Sequence, residues 1–164
     1  MTGVKKILAT IDFSGYSQAT LRAALEMSRE VGAALAVLNV LNQRDVEAVR
    51  NAVKYGQTGG LDEQGFIARQ SQERREMIAR LLAECGGDPA AAEVAVRVGV
   101  PAQEILEAVR EMKADLVVMG TKGRTNLAMS LFGSTAERVY RRCPVTVLSV
   151  RGPEHAGLVG KLAS

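Results

Sequence analysis

A chain of 164 residues is large enough to bury one hydrophobic core, so neither disulfides nor a structural metal is required to hold it together. Apolar residues make up 47% and charged residues 24%, a globular composition, while the absence of Trp and an aromatic content of only 4% argue against nucleic-acid binding by base stacking. The net charge of +3 arises from Lys and Arg alternating with Asp and Glu along most of the chain, a solvated surface with no single basic block.

Near the N-terminus, Lys5 and Lys6 precede the apolar run Ile7 to Ile11, but Asp12 ends that run before the apolar region of a signal peptide would be complete. The richest apolar stretch, Val31 to Leu41, is interrupted by Asn39 and falls short of the roughly 18 residues that a membrane-spanning helix needs. A cytoplasmic protein without a membrane partner is therefore expected. Cys85 and Cys143 show neither CxxC nor ligand spacing and read as buried free thiols.

In chain order, Val4 to Ile11 predicts a first strand. Turn chemistry at Asp12 to Gly15 follows, then a helical stripe at Leu21, Ala24, Leu25, Ser28 and Val31 that Gly32 stops. Ala34 to Leu41 predicts a second strand, and Gln64 to Glu84 a helix with Ile67, Ser71, Ile78 and Leu81 on one face. Ala91 to Val98 is a third strand, and Pro101 to Lys113 a helix with the proline in its first turn. Asp115 to Met119 is a fourth strand, Ser134 to Arg142 a short helix, and Val145 to Val150 a last strand.

Strands alternating with helices require crossover connections, which predicts a mostly parallel sheet covered on both faces: a doubly wound α/β fold with five strands. Residues 1–150 read as one domain and 151–164 as a flexible C-terminal tail, rich in glycine and holding the only histidine, His155. The segment from Asn42 to Glu63 breaks the pattern, with a short helix over Asp45 to Tyr55 followed by Gly56, Gly59 and Gly60, and is expected to be a mobile flap.

The chemistry concentrates in one loop. Gly120-Thr121-Lys122-Gly123 ends the fourth strand, and Gly133-Ser134-Thr135 opens a helix, giving the spacing G-x2-G-x9-G-S-T. Gly120 and Gly123 can take positive φ and let backbone amides approach a polyphosphate, while Gly133 removes a side chain at the helix start. The helix N-terminus presents unpaired N–H groups and the positive end of its dipole. Ser134 and Thr135 add hydroxyl donors, and Lys122 and Arg124 supply positive charge beside the outer phosphates. The competing reading is purely structural: the glycines end a strand, and Ser134-Thr135-Ala136-Glu137 is a capping box in which Ser134 caps the helix.

That spacing resembles the signature of the ATP-binding members of the universal stress protein family, met here at Gly120, Gly123, Gly133 and Ser134. The likeness extends to Asp12, the Ser14-Gly15-Tyr16-Ser17 turn, Val37 to Val40, Gly99-Val100-Pro101, Ala114 to Gly120 and Cys143-Pro144-Val145, across most of residues 4 to 150. It implies a Rossmann-like, α-hydrolase-like nucleotide-binding fold with strand order 3-2-1-4-5, whose first and fourth strands end at one crevice. It further implies bound ATP and Mg2+, with Asp12 near the adenosine and the metal and Val40 against adenine. Met119 to Gly123 and Gly133 to Thr135 would hold ribose and phosphates. An aspartate at a strand end is also a common turn former, and an apolar strand residue such as Val40 is also a core residue. The segment 42–63 and the tail depart from the family pattern.

The function expected is that of an ATP-binding stress-response and regulatory protein that signals through nucleotide-dependent shape or partner choice. The alternatives are a slow ATPase and a nucleotide-independent dimeric interaction module. The Ser-Gly-Gly-x-Asp-Ser loop of adenine nucleotide hydrolases, the P-loop and the dinucleotide fingerprint are absent, and the receiver-type phosphoacceptor position holds Val98-Gly99-Val100. No serine shows a partnered base. The last strand, Val145 to Val150, would be a bare sheet edge, which together with the resemblance predicts a homodimer formed there. Arg138, Arg141, Arg142 and Arg151 read as solvent-facing arginines.

Overall fold

In the computed structural model of the chain, residues 3–56, 59–60, 62–122 and 133–152 are described. Ten elements follow one another: β1 (Lys6–Thr10), α1 (Ser17–Val31), β2 (Ala34–Asn42), α2 (Gln43–Lys54), α3 (Glu63–Glu84), β3 (Glu93–Gly99), α4 (Pro101–Glu111), β4 (Leu116–Gly120), α5 (Ser134–Arg142) and β5 (Thr146–Val150). The strands form one parallel sheet in the order β3-β2-β1-β4-β5. The doubly wound architecture is thus the one that the alternation of strand and helix patterns requires.

Because successive strand residues point to opposite faces, the sheet divides the core in two. Ile7, Ala9, Val37, Leu116 and Val118 pack with Leu21 and Leu25 of α1 and Ile78 and Leu82 of α3. Leu8, Leu38, Val117 and Met119 pack on the other face with Ile105 and Val109 of α4 and Val139 of α5. Each such buried Ile or Leu contributes about 2 kcal/mol of transfer free energy, which is why the central strands read as unbroken apolar runs. At the opposite end of the sheet from the strand C-termini, Asp115 Oδ2 accepts from the N–H groups of Lys5 and Lys6 at 2.8 and 2.9 Å and fastens the start of β4 to that of β1. These hydrogen bonds hold the Asp115 carboxyl below its ordinary value of 3.8.

The segment after β2 contains the expected short helix, over Gln43–Lys54. Asn42 caps α2 by accepting from the Arg44 N–H at 3.1 Å, Val46 is buried, and α2 packs against α3 and β2. Only residues 57, 58 and 61 of that stretch lie outside the described residues. Cys85 and Cys143 are free, as their spacing suggests, but half-buried rather than buried. His155 and the rest of residues 153–164 also lie outside the described set, and among the described residues no helix is long and apolar enough to cross a membrane.

Candidate functional site

The sheet register sets the site. Thr10 of β1 pairs with Leu38 on one side and Met119 on the other, a row that lies at the C-terminal ends of β1 and β4 while β2 runs on to Asn42. Asp12 and Val40 each lie two residues beyond that row, and Gly120 one residue beyond. They open together onto a cleft of about 500 Å³. This is the position at which parallel α/β sheets bind ligands, between strands whose connections depart to opposite faces.

Of the ten residues nominated by sequence, eight line this cleft: Asp12, Val40, Met119, Gly120, Lys122, Gly133, Ser134 and Thr135. Gly123 and Arg124 lie outside the described residues. The two ends of the glycine loop are pinned to each other. The Thr121 N–H donates to the Val150 carbonyl at 2.9 Å, and the Thr121 carbonyl accepts from the Gly133 N–H at 2.8 Å. Strand β4 and helix α5 are thereby held side by side at the base of the loop.

One mechanical expectation is corrected, and one part of the competing structural reading is not met. Gly120 does not use a positive φ. Its requirement is space, since a Cβ there would lie 2.8 Å from Tyr16 Cβ and 3.1 Å from the Lys122 carbonyl oxygen. Nor does Ser134 cap α5. Gly133 occupies the cap position, with φ −70° and no side-chain cap hydrogen bond, and Ser134 is the first helical residue. The leading N–H groups of α5 have no intrahelical acceptor by construction, and among the described residues no side-chain cap is made to them. The site therefore has the open helix N-terminus that an anion requires.

The turn after β1 is fixed from several directions. Asp12 Oδ1 accepts from the Ser14 N–H at 3.1 Å, the Ser14 carbonyl accepts from the Ser17 N–H at 3.0 Å, and Ser14 Oγ accepts from the Tyr16 N–H at 3.3 Å. Asp12 is thus both a turn former and a wall of the cleft. Behind it, Asn39 donates to the Ile11 carbonyl at 2.8 Å and accepts from Arg74 Nη1 of α3 at 2.7 Å. The Arg74 guanidinium lies 5.7 Å from the centre of the Phe13 ring, and Phe13 holds a left-handed φ of 60°. The buried amide of Asn39 is satisfied at both ends, so the backbone carrying Asp12 is held by β2 and α3 together.

Val40 is half-buried and also packs at the margin of the second core, so it is at once core and cleft wall. Arg138, Arg141, Arg142 and Arg151 are exposed, and Arg141 pairs with Glu137 at 3.0 Å. The loop motif missed Tyr16, Ser17 and Thr20 from the start of α1, and Arg44 and Asp45 from the start of α2. Pro101 and Ile105 of α4 complete the wall opposite. A signal for the missed residues exists in the sequence: each follows the C-terminal end of a strand, where a parallel sheet gathers its ligand contacts.

A family model of the universal stress protein family matches residues 3–151 of the chain. The universal stress protein MJ0531 of Methanocaldococcus jannaschii is 31% identical over 150 residues, covering 92% of this chain and 84% of that protein. Among solved structures, MJ0577 of the same organism superposes with a TM-score of 0.70 at 24% identity, covering 90% of this chain and 96% of its own. A universal stress protein in complex with cAMP superposes with a TM-score of 0.55 at 22% identity, over 90% of this chain and 97% of its own. These two likenesses concern the fold, whereas the family match and the relative at 31% identity bear on descent, and on that ground the chain belongs to the universal stress protein family.

Proposed function

We propose that this protein is a nucleotide-binding regulatory member of its family that holds Mg2+-ATP at the C-terminal ends of β1 and β4 and changes its partners with occupancy. One observation carries the reading: the uncapped N-terminus of α5 opens onto the same cleft as Asp12, Gly120 and Lys122. Unpaired amides and a helix dipole attract phosphate oxygens, the Lys122 ammonium adds charge, and the apolar walls at Val40, Met119 and Ile105 suit a base and ribose. The complex of a family member with cAMP supports an adenine nucleotide as the ligand class.

The fit to magnesium follows from the donor set. Asp12 and Asp45 line the cleft, and among the described residues no group of three or more His, Cys, Asp or Glu could chelate a metal alone. So few protein oxygens fit Mg2+ shared with phosphates, as that ion binds elsewhere. Asp12 would hold the ion, which supplies the charge that lets a carboxylate stand beside a polyphosphate. Gly123 and Arg124 join the proposed contacts on the strength of the motif alone.

Ser134→Ala tests the reading, because Ser134 does not cap α5 and the variant keeps the fold. Calorimetric titration with Mg2+-ATP is expected to show a tenfold to hundredfold loss, corresponding to ~1.5–3 kcal/mol for a hydrogen bond to a charged group. No binding to the parent protein at millimolar Mg2+-ATP overturns the proposal and leaves the interaction-module reading. The homodimer is proposed at β5, which lies at one edge of the sheet, and sedimentation velocity reads it directly.

A further inference from the structure

The turn after β1 and the first turn of α1 carry three hydroxyl side chains whose fates differ. Ser14 Oγ accepts from the Tyr16 N–H at 3.3 Å, and Thr20 Oγ1 donates to the Tyr16 carbonyl at 2.8 Å. Ser17 Oγ, between them in sequence, is buried without a hydrogen-bond partner among the described residues, and its residue is 3% exposed. Ser17 lines the cleft. A hydroxyl left unsatisfied inside a protein is unfavourable unless something else completes it, and the residue that carries this one is part of the cleft wall.

Its place on the helix says what that something is. Ser17 is the first residue of the 15-residue α1, which among the described residues has no side-chain cap and no acidic residue in its first turn, so the positive end of its dipole is met from within the cleft only by the Asp12 carboxylate in the preceding turn. Lys122 and Arg44 line the same cleft, and the Arg44 side chain forms no ion pair among the described residues. An oxygen that accepts from Ser17 and carries negative charge satisfies both the orphan hydroxyl and the dipole. A phosphoryl oxygen does this, whereas a ribose hydroxyl or a base nitrogen meets only the first need.

We propose that Ser17 and the N-terminus of α1 form a second phosphate subsite, distinct from the one at α5, which makes the cleft select nucleotides by phosphate number. A monophosphate or a cyclic monophosphate fills one helix N-terminus, and a nucleoside triphosphate reaches both. The inference rests on the nucleotide reading above and gives it a substrate class: nucleoside triphosphates over mono- and cyclic nucleotides. The removal of Ser17 Oγ leaves no hydrogen bond broken inside the described structure, so Ser17→Ala keeps or raises the melting temperature.

The experiment is a titration of the parent protein and Ser17→Ala with ATP, ADP, AMP, cAMP and inorganic tripolyphosphate, each with Mg2+. Support consists of about a tenfold loss for ATP and tripolyphosphate in the variant, with AMP and cAMP changed less than about twofold. An equal loss for ATP and AMP, or an unchanged ATP affinity, overturns the subsite and assigns the Ser17 hydroxyl to a trapped water. If tripolyphosphate binds in a Ser17-dependent way while no nucleotide binds, the subsite stands and the nucleotide reading falls. If neither nucleotide nor tripolyphosphate binds the parent protein, both are overturned.

Discussion

Gly120 lies against the side chain of Tyr16, so close that a Cβ at position 120 would sit 2.8 Å from Tyr16 Cβ and 3.3 Å from Tyr16 Cγ. The last residue of β4 and the residue before α1 are thereby in contact across the floor of the cleft. The glycine that the loop motif marks as a phosphate contact is required first by its neighbour in the protein.

Gly120→Ala is accordingly expected to destabilise the fold by ~1–3 kcal/mol, the usual cost of an extra methyl in a packed site. Because Tyr16 and Lys122 both line the cleft, nucleotide affinity falls with it. Urea denaturation and calorimetric titration of the same sample check the two effects. A parent-like midpoint would mean that Tyr16 moves aside freely.

Asp12→Asn separates the charge of Asp12 from its turn. The amide oxygen can still accept from the Ser14 N–H, so the fold is retained. With Mg2+ present, ATP affinity is expected to fall about tenfold. In EDTA the variant should bind ATP as tightly as the parent or more so, since a like charge beside the phosphates has gone. Equal losses under both conditions would remove the metal from the account of Asp12.

Asn39→Ala opens the buried relay between α3 and the β1 turn. It leaves the Ile11 carbonyl and Arg74 without their amide partner, and a loss of ~2–3 kcal/mol is expected by thermal or urea denaturation. A change below ~0.5 kcal/mol would show that water replaces the amide at no penalty.

Asp115 gives a pH signature. Its carboxyl is held down first by the backbone hydrogen bond from Lys5 and then by that from Lys6, so its folded-state value lies below the ordinary 3.8. For a lowered acid the contribution to stability is complete above the unfolded value and disappears as the pH falls through the folded one. The difference in urea midpoint between the parent and Asp115→Ala should be constant near neutrality and shrink below about pH 4. A difference that persists at pH 2 would assign the effect to packing.

Much of this molecule was legible in its residues because the relevant signals are local. Apolar periodicity distinguishes strand from helix within a few residues, and the alternation of the two dictates a parallel sheet. The α5 limits, Ser134 to Arg142, are the ones that the pattern predicts, while β1, β3 and β4 shift by one or two residues at their ends, where pairing rather than propensity decides. The loop motif nominated residues on β4 and α5 that line a single cleft with Asp12 and Val40.

What the order of residues could not express is which groups are already spent. Ser134 sits in a sequence that reads as a capping box, yet Gly133 takes the cap. Ser14, Ser17 and Thr20 look alike in the sequence, and of the three only Ser17, a residue of the cleft wall, keeps a buried hydroxyl unmatched among the described residues. Arg44 and Asp45 fall in a segment without a motif and reach the site because β2 lies beside β1. Periodicity and turn chemistry act between near neighbours and so belong to the sequence. The satisfaction of a donor or the clearance around a Cα depends on atoms brought close by the register of the sheet, and that is decided only when the whole chain packs.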